Sequence, residues 1–145
     1  MKIAIASDHG GYNLKNQLID YFSFRGIEFL KVGPDCTESC DYPDAAKPLA
    51  EAILAKKADL GIGICGAGIG MSIALNRFHG IRAALLYNDY AAEMAKKHND
   101  ANILVFGGRT MELEDVVRRI EIFMTTEFEG GRHVRRIEKI EQGEE

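Results

Sequence analysis

Cys65 stands between an apolar run, Leu60 to Ile64, and a glycine cluster, Gly66-Ala67-Gly68-Ile69-Gly70. Glycine has no Cβ, so successive backbone N–H groups can converge on one anionic oxygen without obstruction. A thiol facing such donors can move a proton or attack an electrophile, and the positive end of a helix starting in this cluster favours its thiolate. Other reactive types recur at comparable places. Asp8-His9 follows a second apolar run, Arg109 follows Gly107-Gly108, and His98-Asn99 closes a helical pattern. Arg132, Arg135 and Arg136 crowd the tail of a chain whose net charge is −4, which suggests a phosphate or a partner surface. Each group also has a plainer reading: an inert buried thiol, satisfied or surface histidines, a solvated charge run. His79 and His133 have less positional support than His9 and His98.

Familiar motif chemistries fail on spacing. Gly61-Ile62-Gly63-Ile64-Cys65-Gly66 matches GxGxxG, but its first glycines fall within the strand pattern and not in a turn opening a helix. No GxxxxGK[ST] occurs. A cysteine-dependent phosphatase needs an arginine six residues after its nucleophile, where this chain has Met71. Cys36 and Cys40 lack a second ligand pair at zinc spacing and read as free loop thiols.

The elements that must position these groups follow from periodicity. Lys2 to Ser7, Ile27 to Val32, Leu60 to Ile64, Ile81 to Tyr87 and Asn102 to Phe106 are short β-rich runs. Between and after them come helical patterns. The first carries Leu14, Leu18, Ile19 and Phe22 and stops at Gly26; the second carries Leu49, Ile53 and Leu54, with Pro48 near its start. Ile69 to Asn76 is the third. Asp89 to His98 has Ala91, Met94 and Ala95 inward, and Leu113 to Met124 has Leu113, Val116, Val117, Ile120 and Met124 on one side. Strand and helix alternating five times predict one α/β domain over residues 1–145: a five-stranded parallel sheet in a three-layer α/β/α sandwich, Rossmann-like, with a basic segment from about residue 130. Such sheets bind ligands at the carboxyl ends of their strands, which is where Cys65 and Asp8-His9 fall.

The acidic balance argues against nucleic acid as a general partner. No run reaches the roughly 18 apolar residues of a membrane span. Three cysteines that cannot all pair suit a reducing compartment, so the expectation is a soluble, cytoplasmic protein.

Taken in order, Ser7-Asp8-His9-Gly10-Gly11, Asp41-Tyr42-Pro43, Ile64 to Ser72, Gly80 to Ala84, His98 to Asn102 and Gly130-Gly131-Arg132-His133 resemble the type B ribose-5-phosphate isomerase family, which includes galactose-6-phosphate and allose-6-phosphate isomerases. The resemblance covers essentially the whole chain. It implies an aldose-ketose isomerase without metal or organic cofactor, assembled as a homodimer or a dimer of dimers with shared active sites. By the same resemblance Cys65 moves a proton between C2 and C1 through a cis-enediolate, and His98 opens the sugar ring, working near Asp8. Substrate contacts fall to Asp8, His9, Gly66, Ala67, Gly68, Ile69, Gly70, Asn99, Arg109, Arg132 and Arg136, with the phosphate among His9 and the arginines. Ala67 departs from the pattern, since many members carry threonine there. A six-carbon aldose 6-phosphate isomerase and a catalytically silent sugar-phosphate-binding protein stay open as alternatives.

Overall fold

The computed structural model describes residues 1–143. Five parallel strands, β1 (Lys2–Ser7), β2 (Glu28–Lys31), β3 (Leu60–Cys65), β4 (Ala83–Leu85) and β5 (Ile103–Gly107), form one sheet in the order β2-β1-β3-β5-β4. Helices α1 (Tyr12–Ser23), α2 (Tyr42–Leu54), α3 (Ile69–Leu75), α4 (Asp89–Lys97) and α5 (Leu113–Thr125) cover it, and α6 (Arg132–Gln142) closes the described chain. The central strands β1, β3 and β5 are buried on both faces, which is why they read as continuous apolar runs.

Right-handed crossovers assign each helix to a face. The steps β1 to β2 and β4 to β5 run one way along the sheet, whereas β2 to β3 and β3 to β4 run the other. Accordingly α1, α4 and α5 pack on one side through Leu14, Leu18, Phe22, Ala92, Val116, Ile120 and Phe123. On the other side α2 and α3 pack through Ala45, Leu49, Met71 and Leu75. The chain reverses direction between β1 and β3, and the crevice beyond their carboxyl ends is the expected binding position.

Several details differ from the sequence reading. Pro48 lies inside α2, while Pro43 occupies its first turn. The inner face of α4 is Ala92 and Ala95; Ala91 and Met94 are only half-buried and line a surface cleft with Tyr87 and Tyr90. Phe123, not Met124, completes the buried face of α5. Both edge strands are shorter than their apolar runs, since an edge has a neighbour on one side only. Cys36 and Cys40 are not free thiols but are joined in a disulfide, leaving Cys65 as the free cysteine.

Candidate active site

Cys65 ends β3 with its residue only 5% exposed, and its strand partner across the ladder is Gly107, the last residue of β5. Two bonds pin the loops after these strands together: the Gly108 N–H donates to the Cys65 carbonyl at 2.8 Å, and the Arg109 N–H to the Gly66 carbonyl at 2.9 Å. The approach is close enough that a Cβ on Gly108 would collide with the Gly10 carbonyl, so three strand ends meet within one backbone contact. The Arg109 side chain lies beside Gly66, where an added Cβ would be 3.6 Å from Nη1.

Gly68 takes φ +83, a left-handed conformation that glycine adopts without strain, and this turns the loop into α3. Among the described residues, the N–H groups of Gly66, Ala67, Gly68, Ile69 and Gly70 donate to no backbone carbonyl, so the loop presents a row of donors beside the thiol. Tyr42, at the start of α2, lays its ring over Gly70: a Cβ there would lie 2.6 Å from Cζ. Ala67, two residues after Cys65, is exposed.

At the end of β1, the Asp8 N–H bonds the Ile64 carbonyl at 3.2 Å, drawing the Asp8-His9 turn against Cys65's own strand. Asp8 is 6% exposed and accepts the Gly10 N–H at 2.9 Å through Oδ1, which leaves Oδ2 without a partner among the described residues. Nδ1 of His9 accepts the Cys40 N–H at 3.2 Å. Ser7, fully buried in the preceding position, has a hydroxyl with no hydrogen-bond partner among the described residues. Asp8, His9, Cys65, the Gly66 to Gly70 loop and Arg109 are therefore one group.

His98, Asn99, Arg132 and Arg136 form another. His98 caps the carboxyl end of α4, and its ring stacks on that of His133 with centroids 4.2 Å apart and planes 15° apart. His133 is 3% exposed despite its basic surroundings, and its Nε2 lies 3.2 Å from Oε1 of Glu129. Arg82 ties the ends of α4 and α6 together, donating to the carbonyls of Asn99 at 3.0 Å and Asp100 at 2.8 Å and pairing with Glu141. Among the described residues, the side chains of Arg109, Arg132, Arg135 and Arg136 make no ion pair, whereas Arg82, Arg118 and Arg119 all do. His98, Glu129 and His133 could offer three metal-ligand atoms within 4.8 Å of one another. The stack does not suit a cation, however, because a metal lies near the plane of each imidazole it binds and parallel planes do not converge.

The two groups lie at opposite ends of the strands. α4 runs back against the strand direction, so His98 arrives five residues before β5 begins, while Cys65 pairs with the residue at which β5 ends. Five residues of strand separate those levels by roughly 16 Å. Within one chain, then, His98 does not work near Asp8.

Sequence reasoning missed Glu129 and gave His133 little positional support; their spacing of four, just ahead of α6, was the available signal. Cys40 contributes to the site through its backbone amide, which no residue type announces.

Residues 3–140 match the family model described as ribose/galactose isomerase. The chain is 40% identical over 139 residues to ribose-5-phosphate isomerase B of Escherichia coli, covering 96% of this chain and 93% of that one. Among solved structures, a ribose-5-phosphate isomerase B of Clostridium thermocellum superposes with TM-score 0.95 at 47% identity, covering 98% of this chain and 96% of that one. One from Thermotoga maritima gives 0.94 at 49% identity, covering 97% of each. With its fold, its motif order and nearly its whole length accounted for in this way, the chain belongs to the ribose/galactose isomerase family.

Proposed function

We propose that the protein interconverts ribose 5-phosphate and ribulose 5-phosphate through a cis-enediolate, needing no metal or organic cofactor. The observation that carries this reading is a free, buried thiol, Cys65, beside loop amides that have no carbonyl partner among the described residues. As thiolate, Cys65 takes the proton from C2 of the open sugar. Negative charge then builds on the C1 oxygen, where the Gly66 to Gly70 amides donate to it. The thiol returns the proton to C1, and a proton passes between the two oxygens, with the free Oδ2 of Asp8 placed to accept and return it. His9 and Arg109 bind at the phosphate end.

The ring-opening acid, His98, comes from a partner subunit in this account, along with Asn99, Arg132 and Arg136. Three observations support an assembly of two copies, or of two such pairs. The catalytic set is split between opposite ends of the strands, and among the described residues the tail guanidinium groups have no carboxylate partner. Large apolar side chains also stay exposed: Ile69 and Ile73 on α3 next to the glycine loop, and Tyr87 and Tyr90 at the start of α4. An isologous two-fold contact repeats each contribution reciprocally. Sugar-phosphate isomerisation suits a cytoplasmic location.

Ala67 favours a second reading. A methyl group where many relatives of this type carry a hydroxyl-bearing side chain leaves more room at the reacting centre, which suits a six-carbon aldose 6-phosphate. The deciding experiment follows exchange of the C2 hydrogen with solvent on ribose 5-phosphate, allose 6-phosphate and galactose 6-phosphate. Exchange fastest on ribose 5-phosphate supports the first reading, and fastest on a six-carbon sugar the second. Affinity without exchange on any of them would make the protein a binder.

A further inference from the structure

We infer that the Cys36–Cys40 disulfide is a positioning element for His9, so that the oxidation state of this loop sets the affinity for the sugar phosphate. The inference rests on the proposed role of His9. Among the described residues, no backbone group of residues 33–40 bonds another backbone group, so the segment between β2 and α2 has no ladder or turn to hold it. It is tied at two points. Asp35 meets the Nζ of Lys15, a lysine 2% exposed on α1, at 2.6 Å. Cys40 donates its N–H to Nδ1 of His9 at 3.2 Å. The disulfide joins the residue after the first tie to the residue that makes the second, and so braces the Cys40 amide against the imidazole from a buried anchor.

That amide decides the chemistry of His9. With Nδ1 accepting, the neutral ring carries its hydrogen on Nε2, and Nε2–H is the donor that a phosphate oxygen needs. Without the brace, residues 36–40 gain backbone freedom and the amide leaves Nδ1 for part of the time. Both tautomers are then populated, and the fraction ready to bind falls. Opening the bridge takes a dithiol reductant: its two electrons and two protons go to the sulfurs of Cys36 and Cys40, and the dithiol leaves as its own cyclic disulfide.

The test uses the full chain, oxidised and after dithiothreitol, with thiols counted under denaturing conditions. One thiol per chain is expected before reduction and three after. KM for ribose 5-phosphate should rise about two- to ten-fold on reduction, the range that one net hydrogen bond supplies, with kcat changed far less. The Cys36→Ser/Cys40→Ser variant should show the reduced protein's KM with and without dithiothreitol, which separates the loop from any effect of reductant on Cys65. Nitrogen-15 NMR of the imidazoles gives a readout free of turnover: His9 should be the Nε2–H tautomer in oxidised protein and a mixture in reduced protein. If no sugar phosphate is turned over, the functional reading fails and the His9 signal alone judges this inference. Three thiols that resist oxidation, or a KM and a His9 tautomer indifferent to reduction, would overturn it.

Discussion

Cys65 is shielded from water yet bonded to no other sulfur, and the groups around it are donors and one carboxylate; these properties make it the centre of the account. Cys65→Ala should abolish C2 hydrogen exchange while phosphate-ligand affinity stays within a few-fold, at a stability cost of about 1–2 kcal/mol or less. Near-normal turnover of that variant would remove the mechanism. In oxidised protein, iodoacetamide should label Cys65 alone, and substrate should slow the labelling, because Cys36 and Cys40 are bridged. Ala67 is exposed in the loop after Cys65, and a side chain discriminates between substrates only where they differ. Ala67→Thr should therefore change kcat/KM for five-carbon and six-carbon substrates unequally; equal ratios across the sugar series would mean that this position is permissive. At this scale the sequence was informative where a residue type coincided with a strand end, as at Asp8 and Cys65. It was silent where function depends on a distant neighbour: nothing near His133 in the chain foretells its stack on His98, and nothing about Cys40 foretells the partner of its amide.

The elements hold these residues through a few ties whose strength can be measured. Lys15 is buried on α1 and its ammonium meets Asp35, a half-exposed carboxylate that Lys31 also reaches at 3.3 Å. The hydrogen bond and charge of Lys15 hold the Asp35 carboxyl below its ordinary value, with Lys31 adding to this and desolvation opposing it. A carboxylate with a depressed native pKa adds stability that is complete above its unfolded value and is lost as pH falls through the native one. Asp35→Ala should lower stability at neutral pH by about 1 kcal/mol, a charged hydrogen bond discounted for exposure. The gap from the unmodified protein should close in acid, below the ordinary carboxylate range, as followed by thermal melts across pH. Lys15→Met, which removes the buried charge and keeps the apolar stem, should be close to neutral or stabilising. A pH-independent cost of Asp35→Ala would show that the pair is not the cause. The element order was legible because each strand is a continuous apolar run and each helix repeats at 3.6. The ends of β2 and β4 were not, since apolar residues continue past the last ladder bond, and Pro48 was misplaced because helix α2 begins at Tyr42, before its apolar pattern does.

At the scale of the whole molecule, alternation of strands and helices sufficed for a parallel sheet with helices on both faces, but not for the insertion of β5 between β3 and β4, because crossovers of similar length serve either order. The same topology carries the central claim. α4 returns His98 to the amino-terminal end of the strands, away from Cys65, so in the arrangement we propose a complete site takes Cys65, Asp8 and His9 from one protomer and His98, Asn99 and the α6 arginines from its partner. Fold recognition alone does not suggest this division; the direction of a helix relative to its strand does. The direct measurement mixes Cys65→Ala protein with His98→Ala protein, each inactive by itself, under conditions that exchange subunits. In a mixed dimer one site joins intact Cys65 to the partner's intact His98, and the other site carries both lesions. Random exchange of equal amounts makes half the dimers mixed, so activity should return to about one quarter of the unmodified protein's by two-fold symmetry. Verified subunit exchange with no return of activity would show that Cys65 and His98 serve a site within one chain, in contradiction to the shared arrangement.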